Sequence, residues 1–248
     1  MTNRFFVDRT ISHWDFAGVL LAGEEAHHFC KVMRGKVGDT LFLFDGTGKY
    51  AHGIAESIQK ESVRVRILET FTDEVESPLH LTVAAALPKG DRQRFLIEKL
   101  AELGVARFVP MQMARSVART NDAVIQRLRR YVIEAAKQCG RNVLMEITAE
   151  VPIKKLNTLF AMEPAAKYLL HPVVLGNVGQ QTARQVVAGT PRLPEKIALL
   201  AGPEGSFTDQ EVDLALQAGF QPLDLGKRIL RTETECVAAA ALLLTVAG

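Results

Sequence analysis

The chain has 248 residues, which is too long for one small domain and predicts either one large domain or two unequal ones. Hydrophobic residues make up 48% of the sequence and charged residues 23%, a balance that excludes a disordered or fibrous protein. The net charge of +2 conceals a basic block from Lys89 to Arg141, with twelve lysines or arginines against five acids, which fits either contact with a polyanion or ordinary solvated helix faces.

The region from Arg4 to Phe71 has the pattern of a small β-barrel or sheet. Alternating apolar and polar residues predict strands in RFFV, in DTLFLFDGTGKYAHGIAESI and in SVRVRIL. A helix from Glu24 to Met33 is predicted to interrupt them, between two glycines. The segment DGTGKYAHG resembles a phosphate-binding loop, but strand alternation follows it where a helix would be required. It is therefore predicted to be a hairpin turn.

A polar and acidic segment from Glu69 to Pro78 lacks an apolar period and is predicted to be a linker. We place a domain boundary there, which gives domains 1-73 and 74-248. Beyond the boundary, apolar strands alternate with helical segments as far as a last helix, and one of these helices is expected around Gln180 to Val187. This order predicts an α/β fold with a mostly parallel sheet.

Three loops that follow apolar strands form the candidate ligand site, because ligands of such sheets bind beyond the carboxyl ends of the strands. These loops contain His171-Pro172, Gly202-Pro203-Glu204-Gly205-Ser206 and Gly226-Lys227-Arg228. The glycines of the second loop let backbone amides approach a ligand closely. Thr208 is predicted to cap the helix that follows, and Glu211 completes the pattern of a capping box.

Several common chemistries are excluded, since the sequence has no GxxxxGK[ST], HExxH, GxSxG or CxxC motif. The three cysteines lie far apart, so neither disulfides nor a metal site is predicted. The longest apolar run, Val237 to Gly248, is about half of the roughly 20 residues that a bilayer requires. The N-terminus lacks the apolar core of a signal peptide, and we expect a cytoplasmic protein. Glycine-rich loops of this kind suit a small cofactor held mainly by backbone groups.

Four separated motifs resemble a known family: ALPKGDRQRFLIEKLAELGV, RRYVIEAAKQCGR, LLAGPEGSFTDQE and LDLGKRILRTET. They are similar to the ribosomal RNA small subunit methyltransferase E family of the SPOUT class. The resemblance implies S-adenosylmethionine-dependent methylation of uridine N3 in 16S ribosomal RNA, within the small ribosomal subunit, by a homodimer. It also implies a deep trefoil knot near 170-248, although knots are rare in proteins. HHFCKVMRGKVGD resembles the family's PUA-like RNA-binding β-barrel.

The resemblance also carries over a cofactor pocket. Backbone amides would hold the adenine, and leucine and isoleucine side chains would cover its faces. Plain core packing is the alternative for Ile229 and Leu230, and a tight turn without a ligand is the alternative for Gly202 and Gly205. The implied cofactor-binding residues are Leu170, His171, Pro172, Gly202, Pro203, Glu204, Gly205, Leu225, Gly226, Ile229, Leu230, Arg231 and Thr232.

Methylation of a ring nitrogen that carries a proton requires removal of that proton or stabilisation of the resulting anion. Arg231 is the candidate for stabilising the charge, and Glu204 or Glu233 is the candidate base or the group that orients it. Each acid could instead pair with a nearby arginine. The family pattern has a small residue at the position of Glu235, so this chain departs from it with a carboxylate at the start of the final helix, which could simply favour the helix N-terminus.

Candidate RNA contacts come from the loops, from a helix face and from the N-terminal domain. Arg130, Glu134, Gln138 and Arg141 recur at helical spacing and are predicted to share one face, which is either functional or simply exposed. Phosphate contacts of this kind would fix position without reading sequence. The candidate RNA-binding residues are Lys31, Arg34, Lys89, Arg92, Arg94, Arg115, Arg130, Gln138 and Arg141.

Two other functions remain compatible with the sequence. A ribose 2′-O methyltransferase of the same class would share the fold and cofactor but would modify a different atom. A non-catalytic RNA-binding factor in ribosome assembly would retain the fold and bind no cofactor. The position of the modified atom and the binding of S-adenosylmethionine separate these alternatives.

Overall fold

The computed structural model describes residues 4–8, 18–72, 76–161, 166–171, 181–182 and 193–247. The chain divides into two compact units. The first comprises Met1–Glu76 together with Ala136–Leu144, and the second comprises Ser77–Ala135 together with Met145–Gly248. Each unit therefore consists of two separate stretches of sequence.

A five-stranded sheet forms the first unit, in the order β1-β3-β4-β5-β2. The first and third strands run parallel, and the other neighbours run antiparallel. Alternate side chains of β5 are buried, among them Val63 and Val65, so one face of the sheet covers a core that includes Phe5 and Phe29. The strands are β1 (Arg4–Phe6), β2 (Val19–Ala22), β3 (Thr40–Phe44), β4 (Lys49–Ile58) and β5 (Ser62–Thr72).

The helix predicted from Glu24 to Met33 is present but changes type along its length. Helix α1 (Gly23–His27) continues directly as a π-helical turn, His28–Val32. Gly35 follows this turn without a side chain, and the ring of Phe29 fills the space that a Cβ would occupy. A larger residue at position 35 would displace this buried ring.

The hairpin turn predicted at Asp45 is confirmed, since β3 and β4 pair antiparallel on either side of it. The Asp45 carboxylate accepts hydrogen bonds from the backbone amide of Thr47 at 2.8 Å and from its hydroxyl at 2.7 Å. The start of the predicted linker was wrong, because β5 extends to Thr72 and pairs with the beginning of β4. Phe71 stacks on Tyr50 across this pair, which explains a strand in so polar a segment.

The segment Ala136–Leu144 completes the first unit through polar contacts. The Arg4 guanidinium donates to the Asn142 side-chain oxygen at 2.6 Å, and the Gly48 amide donates to the Asn142 carbonyl at 3.1 Å. Lys137 forms an ion pair with Glu25 at 3.0 Å. These bonds join residues far apart in sequence, so the first unit depends on a segment that follows much of the second.

An eight-stranded parallel sheet forms the second unit, which confirms the predicted α/β class. Its order is β11-β13-β10-β12-β6-β7-β8, and β9 pairs with β7. Strands β8 and β9 were not expected, since two residues are too few to form an alternating pattern. The strands are β6 (His80–Ala85), β7 (Arg107–Gln112), β8 (Glu146–Ile147), β9 (Val151–Pro152), β10 (Ala166–Leu170), β11 (Gln181–Thr182), β12 (Lys196–Ala201) and β13 (Gln221–Asp224).

Part of the knot region lies outside the described residues, so the predicted trefoil knot stays a prediction. The helix expected around 180–187 was wrong at Gln181–Thr182, which form a strand, and its remaining residues are not described. None of the helices within the described ranges is long and apolar enough to span a membrane. Among the described residues, five α-helices lie in this unit or begin in it: α2 (Asp91–Leu103), α3 (Asp122–Cys139), α4 (Leu156–Leu159), α5 (Asp209–Gln217) and α6 (Thr232–Ala247).

The capping box predicted at the start of α5 is confirmed. The Glu211 amide donates to the Thr208 hydroxyl at 3.3 Å, and the Thr208 amide donates to the Glu211 carboxylate at 2.9 Å. The second carboxylate oxygen accepts from the backbone amide of Ala114 at 2.7 Å. Glu211 is only 4% exposed, so this one side chain satisfies two backbone amides away from water.

Replacing Glu211 with alanine should therefore lower the free energy of unfolding by about 2 kcal/mol, because two backbone donors lose their acceptor. Asp213→Ala on the exposed face of the same helix is the matched control and should change stability by less than about 0.5 kcal/mol. Urea unfolding measures both variants. Equal stabilities of the two variants would contradict the structural role of Glu211.

Candidate functional site

Three neighbouring strands of the parallel sheet end at one edge and carry the loops predicted to form the site. β10 pairs with β12 on one side and with β13 on the other, all parallel. Their following loops begin at His171, Gly202 and Leu225. Because carboxyl ends of parallel strands lie together, these loops meet at one place.

A cavity of about 600 Å³ opens between these loops, within the size range of small-molecule sites. Most of the predicted cofactor residues line it. Gly205, Leu225 and Gly226 are not among its lining residues, and Pro172 lies outside the described residues. The lining residues are Arg92, Leu170, His171, Gly202, Pro203, Glu204, Ser206, Phe207, Ile229, Leu230, Arg231, Thr232 and Glu235.

The first half of the loop after β12 is fixed by close packing. The Thr232 hydroxyl donates to the Gly202 carbonyl oxygen at 2.9 Å, and this bond is buried. A Cβ on Gly202 would lie 2.8 Å from the ring of Phe207. Glycine is therefore required for Phe207 to lie against the loop, and the ring then forms part of the cavity wall.

The second half of the loop is held by Arg115, which follows β7. Its guanidinium donates to the carbonyl oxygen of Gly205 at 2.7 Å and to that of Phe207 at 3.4 Å. His171 stacks on the Phe207 ring with centroids 5.7 Å apart, and its Nε2 lies 3.4 Å from the Ser206 hydroxyl. The loops after β10 and β12 are thereby joined.

Four lining residues were not predicted as cofactor contacts. Ser206 belongs to the predicted ligand loop that begins at Gly202, and Phe207 directly follows it, so the same sequence signal could have included both among the cofactor contacts. Arg92 was predicted as an RNA contact only, and it reaches the cavity from the first turn of α2. Glu235 had been noted as a departure from the family pattern, and it lines the cavity from the first turn of α6.

The three predicted catalytic residues occupy different electrostatic environments. Glu204 pairs with Arg92 at 2.7 Å, and both side chains are about one third exposed, at 34% and 33%. Glu233 is 5% exposed, and its Oε2 atom has no hydrogen-bond partner among the described residues. Arg231 is exposed and lines the cavity. The structure thus places one carboxylate in an ion pair and another in a buried, partly unsatisfied position.

Glu235 is a second acid at the start of α6, beside the cavity. Burial raises the pKa of its carboxyl group to about 8. No ion pair or hydrogen bond of this carboxyl is found within the described part of the chain, which agrees with desolvation as the cause of the shift. The side chain is therefore protonated at neutral pH.

The predicted RNA-binding residues of the second unit differ in their contacts. Lys89 and Arg130 are exposed. Arg94 pairs with Glu98 at 2.6 Å, with its guanidinium 5.5 Å from the ring centre of Tyr131. Arg92 and Arg115 hold the loop of the cavity, as described above.

The remaining RNA-binding candidates belong to the first unit. Lys31 and Gln138 are exposed, and Arg34 is exposed with a left-handed backbone, at a φ of 56°. The expectation that Arg141 shares a helix face with Arg130 was wrong, because α3 ends at Cys139. Arg141 instead pairs with Glu76 at 2.7 Å, with an 8% exposed side chain.

Comparisons with known proteins identify the family of the chain. The RNA methyltransferase domain family matches residues 75–244, and the RNA methyltransferase PUA domain family matches residues 21–68. The chain is 33% identical to ribosomal RNA small subunit methyltransferase E of Synechocystis sp., over 91% of this chain and 72% of that protein. It is 30% identical to the protein of the same name from Bacillus subtilis, over 93% and 91%.

Solved structures are similar over nearly the whole chain. A methyltransferase from Legionella pneumophila, in complex with the bound cofactor SAM, has a TM-score of 0.85 and 32% identity and covers 99% of this chain and 98% of its own. Ribosomal RNA small subunit methyltransferase E from Neisseria gonorrhoeae, bound to S-adenosyl methionine, has a TM-score of 0.83 and 29% identity, with the same coverage.

The raised pKa of Glu235 predicts how stability depends on pH. In the unfolded chain the carboxyl titrates near 4.5, whereas in the folded protein it titrates at about 8. Between these values the folded state binds the additional proton, so the free energy of unfolding falls as pH rises. Glu235→Gln removes this dependence and should exceed the wild type by about 1 to 2 kcal/mol near pH 8.5, with little advantage near pH 4.5.

Urea unfolding across this pH range measures the effect. Asp213→Asn, at an exposed acid of α5, is the control and should show no growing advantage with pH. A constant difference between Glu235→Gln and wild type would contradict a raised pKa at this position.

Proposed function

Because this chain belongs to the ribosomal RNA small subunit methyltransferase E family, we propose that it methylates N3 of a uridine in 16S ribosomal RNA. S-adenosylmethionine is the methyl donor, as in the similar structures. The observation that carries the proposal is the cavity at the carboxyl edge of the sheet, which lies within the matched methyltransferase domain.

The residues of the cavity fit this cofactor. Leu170, Phe207 and Leu230 offer apolar surface for an adenine ring, and Gly202 lines the cavity beside Phe207. When bound, S-adenosylmethionine supplies an electrophilic methyl group on a sulfonium centre. The residues that would hold it are Leu170, His171, Gly202, Pro203, Glu204, Ile229, Leu230, Arg231 and Thr232.

The protein's own task is to manage the proton on N3. Uracil carries this proton at neutral pH, so N3 becomes a good acceptor of a methyl group only as the proton leaves. We assign to Arg231, which is exposed and lines the cavity, the stabilisation of negative charge on the base oxygens. Glu204 and Glu233 are the two carboxylates that could accept the proton or orient the base.

RNA would be bound by both domains, which we place at 1-73 and 74-248. Lys89, Arg94 and Arg130 offer positive charge near the surface of the second unit, and Lys31 and Arg34 do so in the first. Contacts of this type hold phosphates and leave sequence selection to RNA shape. The family resemblance also supports a cytoplasmic homodimer, a trefoil knot near 170-248 and the small ribosomal subunit as the setting of the substrate.

Mass spectrometry of nucleosides tests the proposed function directly. Small subunits are purified from a strain that lacks the corresponding gene, incubated with the purified protein and S-adenosylmethionine, and digested to nucleosides. We expect a new N3-methyluridine in the 16S RNA. Methylation found only on a ribose 2′-oxygen would favour the ribose methyltransferase, and no methylation together with no cofactor binding would favour a non-catalytic assembly factor.

Gly202→Ala should weaken binding of S-adenosylmethionine at least tenfold. The added Cβ would lie 2.8 Å from the Phe207 ring, which would have to move and change the cavity wall. Gly205→Ala in the same loop meets the Arg115 side chain at 3.3 Å, which is a looser contact, and should lose far less affinity. Isothermal titration calorimetry measures both dissociation constants, and equal losses would show that Gly202 has no special place in the pocket.

A further inference from the structure

A second cavity, of about 620 Å³, adjoins the first and shares part of its wall. The shared residues are Arg92, Ile229, Leu230 and Arg231. The second cavity is completed by Asp91, Phe95, Glu233 and Thr234. Two adjoining cavities suit a transfer of a methyl group between two molecules, with the cofactor in the first cavity and the acceptor base in the second. This requires that the second cavity fits the acceptor base.

An exposed aromatic ring forms one wall of this second cavity. Phe95 lies in the second turn of α2, and 46% of its surface remains exposed. Ile229, which the two cavities share, is 87% exposed. Contact between water and such apolar surface is unfavourable, whereas nucleic-acid bases stack readily on aromatic side chains.

A buried carboxylate supplies the polar feature. Glu233 is 5% exposed and lines the cavity, and its Oε2 atom has no hydrogen-bond partner among the described residues. Burying an unpaired carboxylate oxygen is costly, so the position favours a ligand that donates a hydrogen bond. Glu204 differs, because Arg92 already neutralises it at 2.7 Å.

We propose that this second cavity is the acceptor site, in which a pyrimidine base turned out of the RNA stacks against Phe95 and donates its ring N–H to Glu233. The proposal rests on the function proposed above and assigns the acceptor chamber within it. Uracil matches the walls, since it has a flat face for Phe95, one ring N–H for Glu233 and two carbonyl oxygens for a guanidinium. Base flipping is the usual way in which enzymes reach a ring atom in structured nucleic acid.

The arrangement also separates the roles of the two acids. In the acceptor site the N3 proton passes to the carboxylate of Glu233, while the electron pair of the broken N–H bond stays on the base. The resulting negative charge spreads over N3 and the two carbonyl oxygens, beside Arg231. Glu204 then acts as the partner that holds Arg92 between the two cavities, and it is a positioning residue.

Phe95→Ala tests the stacking wall. Stacking of one base on an aromatic residue contributes about 1 to 3 kcal/mol, so KM for undermethylated small subunits should rise about fivefold or more. Phe95→Tyr should restore most of the loss. Val117→Ala removes a similarly exposed apolar side chain outside both cavities, with 39% exposure, and should leave KM unchanged.

Two further measurements identify what Phe95 contacts. The dissociation constant of S-adenosylmethionine, measured by calorimetry, should stay within about twofold of wild type for Phe95→Ala. Sedimentation should give an unchanged particle mass. A lower mass would mean that the patch contacts a second copy of the chain, and a KM equal to that of Val117→Ala would mean that no base stacks there; either result overturns the proposal.

Glu233→Gln tests the proton acceptor. Its single-turnover rate should fall by about 10² to 10⁴, the usual contribution of a positioned base, while cofactor affinity is retained. Glu204→Gln should lower the rate much less. A near-normal rate for Glu233→Gln overturns the assignment of the base. If the wild-type protein makes N3-methyluridine in the same assay, the proposed function holds even when the assignment of Glu233 fails. Failure of the function and failure of the assignment are therefore distinguishable.

Discussion

The hydrogen bond from the Thr232 hydroxyl to the Gly202 carbonyl oxygen is the contact on which the cavity depends. It joins the first residue of α6 to the first residue after β12, two positions separated by thirty residues of sequence. The bond is buried, so its loss would leave a polar group without a partner at a cost of about 1 to 3 kcal/mol. This contact joins the loop after β12 to the start of α6, and both line the cavity.

The arginine after β7 completes the same arrangement from the other side. The Arg115 guanidinium donates hydrogen bonds to two carbonyl oxygens of the loop. Phe207 packs so closely against Gly202 that position 202 has no room for a side chain. The loop therefore reaches its binding shape before any ligand arrives. Such preorganisation reduces the entropy that a ligand has to lose on binding. These contacts hold the loop in one conformation. The nearby carboxyl group of Glu235 differs, because burial disfavours its charged form.

Local signals in the sequence were sufficient for some parts of this structure. The Thr208 and Glu211 capping box lies within four residues, and the loops after β10, β12 and β13 follow apolar runs. These features depend on neighbours in sequence, and the structure has them as predicted. The resemblance to the family then selected residues such as Thr232 and Leu230, which line the cavity.

Other parts depended on contacts that no local pattern encodes. Arg92 reaches the cavity from a helix more than a hundred residues before Glu204, its partner. The pKa of Glu235 is raised by burial, which exists only in the folded chain. Strands β8 and β9 have two residues each and exist only because β7 pairs with them. Sequence periodicity is informative about elements, whereas these features arise from tertiary pairing.

The two-part composition of the first unit has a consequence for how the protein is made. The chain leaves the ribosome with its N-terminus first. The hydrogen-bond partners of Arg4, Glu25 and Gly48 lie between Lys137 and Asn142 and are therefore synthesised later. The N-terminal sheet therefore emerges long before the segment that completes its unit. The contacts with that segment form only after two strands, helix α2 and most of helix α3 have been synthesised. A gene fragment that ends at the first boundary would encode the five strands without the segment that completes their unit, so exchange of this unit between relatives requires two separate exchanges of sequence.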